Sequence, residues 1–166
     1  MRRKVVLLVR DPRDVLTSGY FHAVDRDRSF HGSLSEYIRH PYTGIDKLVI
    51  AHRRWNSFRR LTSSFLLQRY ESFHRDPEGS FSEFLDFISI PIDRSALRGA
   101  VEFCRFENLQ RLESEGRFGT KAMKLREGGP HSLKMREGLI GGHTRYMSDD
   151  DVSFVQTRIA QLGYPF

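Results

Sequence analysis

Residues 5–18 read VVLLVRDPRDVLTS, an apolar run broken abruptly by charge and proline. Lys4 to Val9 shows no alternation of polar and apolar side chains, the pattern of a strand covered on both faces. Asp11 then offers a helix N-cap, Pro12 suits the first helical position, and Asp14 falls in the first turn, near the positive end of the helix dipole. The helix is expected to turn Val15, Leu16, Gly19, Tyr20 and Ala23 inward. In open α/β sheets, ligands bind beyond the carboxyl ends of strands, and Arg10 stands at that end. Ser18 follows two helical turns later. A guanidinium and a hydroxyl together suit a phosphate. The same spacing also lets Arg10 pair with Asp14 while Ser18 merely packs, and the pattern alone leaves both open.

Outward from this unit, residues 25 to 33 are polar and loop-like. From Gly44 to about Leu61 the spacing of Ile45, Leu48, Val49, His52, Trp55 and Phe58 predicts a helix, with Arg53, Arg54, Arg59 and Arg60 on its solvated face. A second buried-type strand follows at Phe65 to Gln68. Ser80 and Glu83 have the spacing of a capping box before the stripe Phe81, Phe84, Leu85 and Ile88. Leu97, Ala100, Val101 and Cys104 mark a further helix. The last helix starts at Ser148 with acids in its first turn and carries Val152, Val155, Ile159 and Leu162. Between Glu113 and Arg136 there is no periodicity, only glycines and basic residues, and so long a loop in a domain is usually functional or mobile. Strands alternating with helices give an α/β class. Two strands are too few for a sheet buried on both faces, so residues 1–166 read as one incomplete domain.

Composition sets outer bounds. At 166 residues, 39% hydrophobic and 29% charged, with 13 Phe and 6 Tyr, the chain has enough apolar mass for one core. No apolar run approaches the ~20 residues of a membrane span. Val5 to Val9 falls short of the ~7–15 residues of a signal-peptide core, so no targeting segment is expected. Cys104 is the sole cysteine, which excludes an intrachain disulfide and fits a reducing, cytoplasmic location. It is expected to act as a small buried hydrophobe. The net charge of +6 favours an anionic partner: a nucleotide, a nucleic acid or an acidic polymer. The basic residues are scattered without an aromatic-basic recognition motif, which disfavours nucleic acid. His31, His40, His52, His74, His131 and His143 lack metal-site spacing. His22, one turn from Ser18, is expected to be packed or hydrogen-bonded rather than a general base.

Arg10, Pro12, Asp14 and Ser18 together fit R-x-P-x-D-x-x-x-S behind an apolar strand. In this the sequence resembles the sulfotransferases that use 3′-phosphoadenosine-5′-phosphosulfate (PAPS). The resemblance continues downstream. FLLQRYESFHRDPEGSFSEFLDFI is similar to the family's L-x-x-R-Y-E-D segment, with Tyr70 at the adenosine-contacting tyrosine and Ser72 where an Asp is usual. AVEFCRFENL resembles the segment whose phenylalanine lies against adenine, here Phe106. MREGLIGGHTRYMSDDDV resembles the closing R-K-G-x-x-G-x-W motif: Arg136, Gly138 and Gly141 match, Glu137 stands at a basic position, and His143 replaces the Trp.

The resemblance implies a P-loop NTPase-like three-layer α/β sulfotransferase fold with an incomplete parallel sheet flanked by helices. It implies PAPS as co-substrate and adenosine 3′,5′-bisphosphate (PAP) as product, without a metal. Arg10, Ser18, Tyr70, Phe106, Arg136 and Gly138 become the expected binding residues, with Arg10 and Ser18 on the 3′-phosphate. The family's P-K-S-G-T-T-W-like loop and its general base normally precede the 3′-phosphate strand. No catalytic residue is therefore expected in this chain, and Gly128-Gly129-Pro130 and Gly141-Gly142 follow no apolar strand. The expectation is half of a donor site for sulfuryl transfer to a hydroxyl or amine acceptor, complemented by an N-terminal fragment, with self-association expected where apolar surface is left uncovered. A non-catalytic PAP-binding module is the alternative.

Overall fold

Val5–Val9 (β1) and Phe65–Arg69 (β2) pair in parallel in a computed structural model that describes residues 4–120 and 133–166. Much of the aperiodic stretch, with Gly128, Gly129, Pro130 and His131, lies outside the described residues. Val5 stands opposite Phe65 and Val9 opposite Arg69, so both strands deliver their carboxyl ends to the same edge of the molecule. Among the described residues these are the only strands.

Helix α1 (Pro12–Phe21) starts where the sequence predicts. The Asp11 carboxylate accepts from the Arg13 backbone N–H at 2.9 Å, and Pro12 occupies the first turn, where a missing N–H costs nothing. A π-helical turn, His22–Arg26, continues it, and His22 pairs with Asp27 at 2.9 Å on the surface. Then come α2 (Leu34–Arg39), α3 (Ile45–Ser57) with a 3-10 turn Phe58–Arg60, α4 (Tyr70–Arg75), α5 (Pro77–Ile88), α6 (Arg94–Phe103), α7 (Phe106–Ser114), a 3-10 turn Gly142–Arg145 and α8 (Asp149–Leu162).

The buried core forms where α1, α2, α3 and α8 meet. Leu16, Ala23, Tyr37, Ile38, Ile45, Val49, Met147 and Val155 supply it. Asp151 binds α8 to α2: it completes a capping box with Ser148, accepts from Ser35 Oγ at 2.8 Å and pairs with Arg39. Helices α4 and α5 pack on β2, and α6 packs on α5.

Four sequence expectations are corrected. Helix α5 begins at Pro77, capped by Asp76, whose carboxylate accepts from Gly79 N at 2.9 Å. Ser80 is therefore inside the helix, and the Ser80–Glu83 box does not form. An Asp-Pro start fixes both the cap and the first helical φ, so it wins over a serine three residues on. Cys104 is exposed, because it caps the end of α6 beyond the turn that buries Leu97. Trp55 and Phe58, placed on the apolar stripe of α3, are 51% and 42% exposed and pack against each other at 5.5 Å. Helices α2 and α7 stand where no helix was assigned.

Candidate functional site

Asp14 organises the carboxyl end of the sheet. The first turn of α1 carries its carboxylate inward until it is 2% exposed. There it accepts from the backbone N–H groups of Gly141 at 2.8 Å and His143 at 3.0 Å, and from His143 Nδ1 at 2.8 Å. Arg10 lies 3.4 Å from its other side. Burial pushes the Asp14 carboxyl upward, but the His143 and Gly141 hydrogen bonds and the Arg10 charge outweigh it and hold the group below its ordinary range. A residue of the opening motif thus pins the closing one across the whole chain.

Arg10 is fixed from several directions. Its Nη2 donates to the Leu139 carbonyl at 2.7 Å, and the guanidinium lies 4.2 Å above the Tyr70 ring. Its Nε is buried without a hydrogen-bond partner. The turn after β1 is held to the turn after β2, since Asp11 N donates to Glu71 Oε1 at 2.9 Å. The sequence left open whether Arg10 pairs with Asp14 or faces a ligand. The structure shows the Asp14 contact, made through Nη2, and Arg10 lining a cavity beside it.

The closing segment is anchored by α7. Glu113, 0% exposed, accepts from Lys134 N at 2.7 Å, Met135 N at 2.8 Å and Arg26 Nη1 at 3.0 Å. Gln110 Nε2 donates to the Met135 carbonyl at 2.8 Å. The segment so placed sets the Arg136 guanidinium 4.1 Å over the Phe21 ring, with Nη1 donating to Tyr146 Oη at 3.0 Å and lying 3.1 Å from Glu137. Tyr146 Oη also donates to Glu137 Oε1, whereas Glu137 Oε2 is buried without a partner. Gly138 turns the chain at φ 63°, and a Cβ there would lie 2.4 Å from the Phe106 ring. Only glycine lets backbone and ring approach so closely in that conformation.

These placements enclose a cavity of about 110 Å³, well above the ~15 Å³ that one water needs. Arg10, Ser18, Tyr70, Phe106, Arg136 and Gly138 all line it, so the structure brings together the six residues that the resemblance implied for binding. Ser18 is exposed there, and no hydrogen bond to its hydroxyl occurs among the described residues. Lys134, Asp14, Glu137 and His143 line it as well. Of these, Lys134 had no signal in the sequence. His143 was read only as a departure from a motif, and its contact with Asp14 depends on tertiary approach. A larger groove of about 440 Å³ adjoins, lined by Arg10, Arg69, Arg75, Glu71 and Tyr164. There burial pushes the Tyr164 phenol up to about 12, and its oxygen sits 3.0 Å from His52 Nδ1. No group of three or more His, Cys, Asp or Glu side chains converges as a metal site among the described residues.

The family model described as "Sulfotransferase domain" matches residues 1–163, and the chain belongs to that family. It is similar to rat sulfotransferase 2A6, at 28% identity over 110 residues, which is 64% of this chain and 38% of the relative. Mouse sulfotransferase 2A1 is 28% identical over 145 residues, covering 84% of this chain and 49% of the relative. The chain thus spans about half, or less, of the curated relatives it matches. Among solved structures, mouse sulfotransferase SULT7A1 complexed with PAP matches 96% of this chain and 57% of its own, with a TM-score of 0.73 and 16% identity. Retinol dehydratase in complex with androsterone and inactive cofactor PAP matches 96% of this chain and 47% of its own, at TM-score 0.69 and 20% identity. The fold is therefore the α/β sulfotransferase fold, here a short parallel sheet flanked by helices.

Proposed function

We propose that the Arg10 cavity is the 3′-phosphate and adenosine half of a PAPS site, and that the whole protein transfers a sulfuryl group from PAPS to a hydroxyl or amine acceptor. The observation that carries this reading is the convergence on one cavity of Arg10, Ser18, Tyr70, Phe106, Arg136 and Gly138. The donor set fits the ligand chemically. Arg10 has a buried Nε–H without an acceptor, and Ser18 has a hydroxyl free to donate, so both suit a phosphate. The Tyr70 ring braces the guanidinium, Phe106 offers a face for adenine, and Arg136 adds charge.

PAPS supplies the activated sulfuryl group. This chain binds and orients the nucleotide through its 3′ side. The cradle for the 5′ side and the general base come from a complementing N-terminal segment or from a partner polypeptide. Two observations support that division. Among the described residues each strand of the pair has one edge without a neighbouring strand, and Leu8, Ile50 and Leu61 are 54%, 55% and 79% exposed. A cytoplasmic location fits the lone, exposed Cys104 thiol. No helix among the described residues is long and apolar enough to cross a membrane.

Calorimetric titration with PAP, with ATP as control, tests the reading. Arg10→Ala is expected to weaken PAP binding about 30-fold or more, the scale of a charge-assisted phosphate contact. ATP, without a 3′-phosphate, should bind far more weakly than PAP. Equal affinity for ATP and PAP, or no effect of Arg10→Ala, would sink the proposal. A second reading, a PAP-binding module without catalysis, draws on the same cavity. Sulfuryl transfer from PAPS, measured with and without a candidate N-terminal fragment, separates the two.

A further inference from the structure

The Asp14–His143 contact fixes more than the backbone. A carboxylate can only accept, so His143 Nδ1, at 2.8 Å, carries the proton that bridges them. That leaves Nε2 as the variable position of the ring. It has no hydrogen-bond partner among the described residues, and His143, itself 5% exposed, lines the cavity. We propose that His143, when protonated, donates Nε2–H to the anion bound in the Arg10 cavity, making nucleotide affinity rise as pH falls. This rests on the reading of that cavity as a PAP site.

Charged groups face this ring from each element around the cavity. Asp14 faces it from α1, the helix that Asp11 caps. Glu137 and Lys134 line the cavity from the closing segment, together with Arg136. Arg10 comes from the end of β1, and the Tyr70 phenol from the start of α4. Acids therefore stand beside the bases at this site, and a bound phosphate adds negative charge to the balance. Glu137 occupies a position where a cation would contact the anion. A protonated His143 returns that positive charge from the other end of the same segment.

The test compares the native chain with His143→Asn in PAP titrations from pH 6 to 8.5. An Asn amide can still donate to Asp14 in place of Nδ1–H, but it has nothing at the Nε2 position. The phosphates of PAP also titrate near pH ~6, equally for both chains, so the ratio of the two dissociation constants is the quantity to read. The native chain is expected to bind about tenfold more tightly at pH 6, with the ratio falling toward one by pH 8.5. A ratio independent of pH, with tight native binding throughout, overturns the inference and leaves the donor-site reading standing. No native binding at any pH overturns both. A second measurement needs no variant: at pH 7.5, saturating PAP should move the His143 ring nitrogen signals toward the imidazolium form. Unmoved signals in the PAP-bound chain overturn the inference as well.

Discussion

Replacing Gly138 with alanine tests the cavity wall directly. The backbone at Gly138 has φ 63°, where an L-residue costs roughly 1–2 kcal/mol. The added Cβ would also meet Phe106 Cδ2 at 2.4 Å and Cε2 at 2.8 Å. The ring must retreat by about 1 Å to restore ordinary carbon contact, and overpacking of this kind costs about 1–3 kcal/mol. Together these predict a loss of about 2–5 kcal/mol, a large share of the ~5–15 kcal/mol that holds a domain folded. The two contributions can be separated by a double-mutant cycle in urea melts. In a Phe106→Ala background the steric part disappears and the backbone part stays, so the coupling energy should be about 1–3 kcal/mol. Additivity within ~0.5 kcal/mol would refute the reasoning, because the ring would then not be what the Cβ meets. PAP affinity, measured on the folded fraction, should fall with Gly138→Ala, since Phe106 has moved from the wall it forms.

Two further outcomes follow from charges within the structure. Glu137→Gln removes an anion facing the cavity and loosens its hold on Arg136, so PAP binding should strengthen about three- to tenfold in calorimetry; unchanged or weaker binding would show that Glu137 helps to position Arg136. Stability should fall with acid in two windows. Burial holds His52 below its ordinary 6.5, so below that pH the unfolded chain takes up the proton first, and stability drops until the folded-state pKa is passed. Asp14 and Asp151 are held below 3.8, so their contribution is complete above that value and is lost as pH falls through their folded pKa values. Urea midpoints from pH 8 to 2.5 would show both steps, and His52→Gln should remove only the first.

The β1–α1 unit was legible because everything that fixes it is local: an unbroken apolar run, an aspartate cap and a proline in the first turn. Tyr70 and Phe106 carried no mark of their own beyond aromatic character, and their place at the cavity emerged through resemblance to a family. Helix α2 carries a readable local signal, the box in which Ser33 N donates to Glu36 and Glu36 N to Ser33 Oγ. Helix α7 had less, for Arg105 makes no side-chain cap. Its buried members include Glu113, whose partners lie beyond the aperiodic stretch, so no hydrophobic period announces it. Trp55, Phe58 and Cys104 failed for a related reason. Periodicity names a face that can be covered, not whether anything covers it. The Asp14–His143 contact joins residues 129 positions apart and belongs to tertiary structure alone.

Glu113 has a consequence for how the cavity wall is held. It grips Lys134 and Met135 from a helix that ends at Ser114, bridging 21 positions of sequence. The segment that carries Arg136 and Gly138 to the cavity therefore starts from a point fixed to α7. One carboxylate, itself outside the cavity, sets where the charged end of that wall begins.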